Sequence, residues 1–214
     1  MLVKGTDSFA KAIGKIAAAS ATLERPVPQV TVRGAKNGAV RQVERQLNNL
    51  INASNCSVRV LPFGTPTDIA SDLRKTSLCV MPSRLEPFGL VGLESLAAGK
   101  PVLVSSNSGL ALLLKEWQTV SGLDHLYRLF VVDTPLTSKA RHEGVAKWSD
   151  AIVAAIENIH DEDGARQLYA AANKARAYLV DEYTRHVREQ WRAAVENSKA
   201  LQVATDSASL STRN

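Results

Sequence analysis

Glu86-Pro87-Phe88-Gly89-Leu90-Val91-Gly92-Leu93-Glu94 sets two carboxylates on either side of a glycine-containing turn that opens an apolar helix. Upstream, Thr76-Ser77-Leu78-Cys79-Val80-Met81 is a short apolar run closed by Pro82, which reads as a buried strand. Downstream, Leu90, Leu93, Leu96 and Ala97 recur at helical spacing. Glu86 therefore belongs to a strand-to-helix loop. Pro87 is tolerated at or before a first helical turn, and Gly89 lets a ligand approach the backbone. The amides of Gly89, Leu90 and Val91 would then form the positive end of the helix, where an anion such as a diphosphate is favoured. At about 1.5 Å per residue, Glu94 lies roughly one turn inside the helix and flanks that anion opposite Glu86. Either glutamate alone is explained by solvation or by the helix dipole. It is their conjunction around one turn that points to a binding site.

Working outward, helices and strands alternate in the manner of a doubly wound α/β domain with a parallel sheet. Thr6 or Asp7 opens a helix carrying Phe9, Ile13, Ile16 and Ala17 on one face, running to about Thr22. Gln29-Val30-Thr31-Val32 reads as a strand, followed by a helix over 38–53 with Val40, Val43, Leu47 and Ile51 as its buried stripe. Val58 to Phe63 is the next strand, and Thr65-Pro66-Thr67-Asp68 starts a short helix with Ile69 and Leu73. Beyond the Glu86 segment come a strand Val102-Leu103-Val104, a loop Ser105 to Gly109, a helix Leu110 to Trp117, and a last strand Leu129-Phe130-Val131-Val132. From about Val145 the pattern is wholly helical. Trp148, Ile152, Ala155, Ile156 and Ile159 form one stripe, Leu168, Ala171, Ala175 and Leu179 another, and Tyr183 to Val195 a final helix. This organisation predicts one domain over residues 1–198 with a helical carboxy-terminal extension, and a disordered Ser- and Thr-rich tail over 199–214.

The 214 residues allow one good core, and the net charge of +5 is spread over helices rather than gathered into a basic patch with aromatics. Nucleic-acid binding is accordingly not expected. No window carries enough uninterrupted apolar residues for a membrane span, and Met1-Leu2-Val3-Lys4-Gly5 has no secretory apolar core, so a cytoplasmic location is expected. The sequons at Asn52 and Asn55 carry meaning only in a secreted protein. Cys56 and Cys79 are too few for a disulfide scaffold or zinc site. His125, His142, His160 and His186 have no ligand spacing.

Pro82 through Val102, reading PSRLEPFGLVGLESLAAGKPV, resembles the E-x7-E signature of retaining GT-B glycosyltransferases, the family 4 and glycogen-synthase-like group. The resemblance implies the carboxy-terminal, donor-binding half of such an enzyme, with a nucleoside diphosphate sugar as donor substrate and no cofactor. By it, Glu86, Phe88, Gly89 and Leu90 would hold the donor sugar, and Lys4, Leu90 and Val91 the diphosphate. Glu94 would bind the ribose hydroxyls. Phe88 is accounted for equally well as a packing residue of the turn, and Lys4 as a solvated lysine. Lys4-Gly5 matches the family's lysine-glycine turn, and Gly34 and Phe63-Gly64-Thr65 match its loops near base and ribose, although a turn role explains those glycines too.

Three departures qualify the match. The family's first strand ends in Gly-Arg before the lysine, whereas Met1-Leu2-Val3 stands here. The acceptor domain expected on the amino-terminal side of a GT-B enzyme has no counterpart in these residues. Asn107-Ser108-Gly109-Leu110-Ala111 replaces the family's paired glycines and following glutamate. Two functions follow from these readings. One is hexosyl transfer to an acceptor hydroxyl with retention, in partnership with an amino-terminal GT-B domain. The other is a non-catalytic, GT-B-like ligand-sensing or protein-interaction module of a larger intracellular protein.

Overall fold

A computed structural model describes residues 5–23, 27–136, 141–193 and 196. Its packing divides into two compact units, Met1–Ala175 and Arg176–Asn214, and the division falls inside the single domain expected to end at residue 198. The tail expected over 199–214 lies outside the described residues.

In the first unit, α1 (Thr6–Leu23) is followed by β1 (Val30–Ala35), α2 (Val40–Ile51) and β2 (Val58–Pro62). Then come α3 (Pro66–Lys75), β3 (Cys79–Met81), α4 (Leu90–Ala97), β4 (Val102–Ser105) and α5 (Gly109–Glu116). The series ends with α6 (Leu126–Phe130), β5 (Val131–Val132), α7 (Arg141–His160) and α8 (Glu162–Ala177), the last two residues of α8 falling in the second unit. Every strand pairing among the described residues is parallel. The strands fall into a two-stranded sheet, β1-β2, and a three-stranded sheet of order β3-β4-β5. Parallel strands joined by helices need both faces covered, and β4 is buried along its whole length accordingly.

The core joins α1, α2 and α7 to the strands. Ala10, Ile13 and Ala17 of α1, Leu47 and Ile51 of α2, Val58 and Val60 of β2, and Trp148 and Ile152 of α7 are all buried in one cluster. The α2 stripe is narrower than its spacing predicts, since Val40 and Val43 are only partly buried. Thr65 caps α3 in a reciprocal box: its side chain accepts the Asp68 amide at 3.3 Å while Asp68 accepts the Thr65 amide at 2.8 Å.

One sequence expectation is overturned. Leu129 and Phe130 do not belong to the last strand but end α6, and only Val131 and Val132 pair with β4. Leu126 and Phe130 lie one helical turn apart and are both fully buried, so α6 turns one face into the core while Leu129 stays exposed. In the second unit a π-helical turn over Tyr178–Tyr183 stands between the stripe expected to end at Leu179 and the final helix expected from Tyr183; the Thr184 hydroxyl bonds the Leu179 carbonyl at 2.5 Å, and residues 184–193 continue as helix. Residues 194 and 195 lie outside the described residues.

Because the strands are parallel, the loops after β3, β4 and β5 share the carboxyl edge of one sheet, and those after β1 and β2 share that of the other. In open α/β sheets that edge is where ligands bind.

Candidate functional site

The loop from Pro82 to Gly89 is shaped by one glycine, Gly89, and one short polar side chain, that of Ser83. Gly89 stands at φ 103°, ψ 49°, a left-handed conformation that L side chains resist, and it turns the chain directly into α4. The amides of Gly92 and Leu93 both reach back to the Gly89 carbonyl, at 3.0 and 3.2 Å. The amides of Leu90 and Val91 precede these first internal bonds and point out of the helix end. Their residues are exposed, Leu90 at 64% and Val91 at 41%, which is unusual for aliphatic side chains and leaves the helix end open.

Glu86 is half-buried, and its carboxylate accepts the hydroxyl of the buried Ser83 at 3.2 Å. Its amide donates to the Asn107 carbonyl at 3.1 Å, forming an isolated parallel bridge to the start of α5. Glu94 is exposed on α4, one turn beyond the helix opening. The two glutamates therefore lie before and after the open amide end. Phe88 has a packing role, since its ring lies against Gly109 and its carbonyl accepts the Leu110 amide at 2.7 Å. What remains of Phe88 for a ligand is its backbone.

Lys4 lies outside the described residues. Its neighbour Gly5 has φ 65° and sits hard against the start of the Glu86 loop: a Cβ there would fall 1.7 Å from the Pro82 carbonyl oxygen. Only glycine fits this close approach. Gly5, the glycine of the expected lysine-glycine turn, thus lies at the carboxyl end of β3.

At the ends of β1 and β2, Gly34 stands at φ 106° beneath the ring of Phe63, which is 69% exposed. Arg33 ties this corner to α3 through an ion pair with Asp72 and a bond to the Pro62 carbonyl at 3.2 Å. The hydrogen bond that Arg33 donates to Asp72, together with the nearby Asp68, raises the Arg33 pKa and keeps the guanidinium charged. An exposed aromatic over a glycine is a flat apolar platform on which a base could stack.

Neither cysteine is a nucleophile candidate. Burial pushes the Cys79 thiol up to about 11, with Glu94 adding to the effect and a hydrogen bond from Ser95 opposing it. Burial also raises Cys56.

Sequence reasoning missed how the loop after β4 is used. Ser105 and Ser108 are buried, and the Ser108 hydroxyl caps α5 by accepting the Ala111 amide at 3.2 Å. The Asn107 side chain donates to the Thr134 carbonyl at 2.5 Å. The legible signal was the run Ser105-Ser106-Asn107-Ser108 itself, whose residue types bond their own backbone in turns and caps.

Among the described residues, no helix is long and apolar enough to cross a membrane. Comparison with known proteins adds to this geometry. A family model for "Family 4 Glycosyltransferase in conflict systems" matches residues 1–197. The chain is 30% identical over 154 residues to D-inositol 3-phosphate glycosyltransferases of Mycobacterium bovis and Mycobacterium tuberculosis, a match covering 63% of this chain but 32% of each of those proteins. Among solved structures, sucrose-phosphate synthase from Thermosynechococcus elongatus aligns with a TM-score of 0.58 at 21% identity, covering 91% of this chain and 44% of that one. The likeness establishes a Rossmann-like α/β domain of GT-B type. With its family model matched through every parallel strand and through the loop carrying Glu86 and Glu94, the chain belongs to the family 4 glycosyltransferases in conflict systems.

Proposed function

We propose that this chain is the donor-binding half of a retaining GT-B glycosyltransferase, transferring a hexosyl group from a nucleoside diphosphate sugar to an acceptor hydroxyl. The observation that carries the reading is the open amide end of α4, with Glu86 before it and Glu94 after it. The leaving group of such a transfer is a diphosphate, whose negative charge grows as the glycosidic bond breaks. Oriented amides at Leu90 and Val91 stabilise that charge without reorganising. Glu86, already accepting from Ser83, is suited to take further hydrogen bonds from hydroxyls of the transferred sugar. Glu94 does the same for the ribose.

Lys4 keeps its diphosphate role in this proposal from the sequence resemblance alone. The platform of Gly34 and Phe63 is assigned to the base. The acceptor is assigned to an amino-terminal GT-B domain, since the curated relatives are about three times as long as the segment they share with this chain. The protein acts in the cytoplasm in this reading, where nucleotide sugars are supplied.

A non-catalytic, ligand-sensing module is the second reading. It is favoured by the loop after β4, whose Asn107 and Ser108 side chains bond Thr134 and Ala111 rather than facing the open end of α4.

The isolated chain is expected to bind a nucleoside diphosphate or its sugar weakly and not to turn it over. Calorimetry with UDP, GDP and ADP sugars, on wild type and Glu94→Ala, tests this. Glu94 is exposed, so its truncation should leave stability within about 0.5 kcal/mol of wild type while abolishing binding. Unchanged binding in the variant, or none to any of the three nucleotides in the wild type, removes the assignment. Binding without transfer by the full-length protein would favour the second reading.

A further inference from the structure

We propose that Thr134 and Asn107 are positioning residues that fix Glu86 from the neighbouring loops at the same sheet edge, through a chain of hydrogen bonds anchored on Trp148. The functional consequence rests on Glu86 holding the donor sugar; the physical linkage does not.

The chain of contacts starts in the core. Trp148 of α7 is 1% exposed, and its Nε1–H donates to the Thr134 hydroxyl at 3.1 Å. An indole nitrogen is a donor only, so the hydroxyl must accept here, and it gives its own proton to the Val132 carbonyl at 3.0 Å. That pair of bonds fixes the orientation of the Thr134 side chain. The Thr134 amide donates to the Ser106 hydroxyl at 3.0 Å, and its carbonyl accepts the Asn107 side chain at 2.5 Å. Asn107 is thus gripped through its side chain, and its carbonyl is the group that receives the Glu86 amide. A second strut runs in parallel, from the Leu110 amide to the Phe88 carbonyl at 2.7 Å.

Three loops at one sheet edge, after β3, β4 and β5, are locked together by groups whose donor and acceptor capacities are matched. Such networks are more rigid than their members taken singly, and a site that must hold a sugar within a fraction of an ångström needs that rigidity. The residues responsible are those that depart from the family's glycine pair: Asn107 supplies a side-chain strut where glycine could supply none.

The experiment uses the full 214-residue chain and two readouts. Backbone amide hydrogen exchange reports the linkage without any ligand. Asn107→Ala should accelerate exchange at Glu86 by about fivefold to tenfold, the equilibrium equivalent of one lost hydrogen bond, relative to Leu103 in β4 as an internal reference. Thr134→Val, which keeps shape but removes the hydroxyl, should act in the same direction. Thr134→Ser, which retains it, should restore wild-type exchange. Calorimetry then compares UDP with UDP-glucose: Asn107→Ala should lose at least half of the affinity increment contributed by the glucose while leaving UDP binding unchanged, as should Glu86→Gln. Equal acceleration at Glu86 and Leu103, or wild-type exchange at Glu86 in Asn107→Ala, overturns the linkage. If Glu86→Gln keeps the sugar increment, the donor assignment fails instead, and the exchange data still decide the linkage.

Discussion

Adding one methyl group at Gly109 should loosen the candidate site more than its small size implies. Gly109 is the first residue of α5 and lies under the Glu86 loop, where a Cβ would sit 2.6 Å from the Pro87 carbonyl oxygen, 3.0 Å from Phe88 Cα and 3.1 Å from the Phe88 ring. Two of these three atoms are backbone and cannot swing aside. Relief requires the loop to move away from α5, and the 2.7 Å bond from the Leu110 amide to the Phe88 carbonyl is the contact most directly stretched. Overpacking of this kind costs about 1–3 kcal/mol, and a lost hydrogen bond about 1 kcal/mol more. Replacing glycine by alanine in a helix returns at most about 1 kcal/mol. The net for Gly109→Ala is about 1–3 kcal/mol of destabilisation, or a fall in melting temperature of about 3–10 °C for a chain of this size. Gly38→Ala is the control, because a Cβ there meets nothing within 4 Å. Thermal unfolding of the two variants side by side checks the reasoning. A Gly109→Ala protein as stable as Gly38→Ala would show that the loop yields freely and that its bracing by α5 is weak.

Two further outcomes follow from the ionisation of particular groups. The Cys79 thiol, held up to about 11 by burial, should resist alkylation by iodoacetamide in the native protein at pH 8 and react only on unfolding, with peptide mass spectrometry as the readout. Asp68 has its pKa lowered by hydrogen bonds from the Thr65 side chain and backbone, with Arg33 adding to the effect. A carboxyl depressed in the folded state adds stability above its unfolded pKa of about 3.9, and that stability is lost as the pH falls through the lower folded value. Stability against urea should therefore drop more steeply below about pH 4 in wild type than in Asp68→Asn, and parallel curves would exclude the cap as a source of acid sensitivity.

The parts legible in the sequence are those governed by local rules. The apolar run before Pro82, the turn at Gly89 and the helical spacing of Leu93 and Leu96 depend on neighbours in the chain, and the loop and α4 appear where those residues place them, while β3 spans only Cys79–Met81 and is half-buried rather than buried. The cap at Thr65 was visible in the same way, as a threonine followed by proline and an acidic residue at the right offset. Residues whose surroundings come from elsewhere were misread. Leu129 and Phe130 satisfy a strand pattern locally, but in the fold they end α6, whose Leu126 and Phe130 pack into the core together. Trp148 reads as one more member of a helical stripe; only the fold brings its nitrogen to Thr134, fourteen positions away. Asn107 reads as a departure from a glycine pattern, and its bond to Thr134 spans twenty-seven positions that no local rule connects.

That contrast bears on how substitutions in a conserved architecture are to be interpreted. A glycine pair beside a ligand offers close approach and bare amides, whereas Asn107-Ser108 offers side chains, and the sequence alone makes the exchange look like the loss of a subsite. In the folded chain those side chains point inward, onto Thr134 and onto the first turn of α5, while the Asn107 carbonyl still meets the Glu86 amide. Under the proposed function, the exchange moves the contribution of this loop from contacting a ligand to holding the glutamate assigned to the donor sugar. Glu86 keeps its place under this change because its amide is held by the Asn107 backbone carbonyl, which the Asn107 side chain anchors, while Gly89 turns the chain into α4 and the Ser83 hydroxyl holds the Glu86 carboxylate. A protein built this way should tolerate change at Ser108 only where the α5 cap survives, since an uncapped α5 would release the Leu110 amide and with it the second strut on the loop.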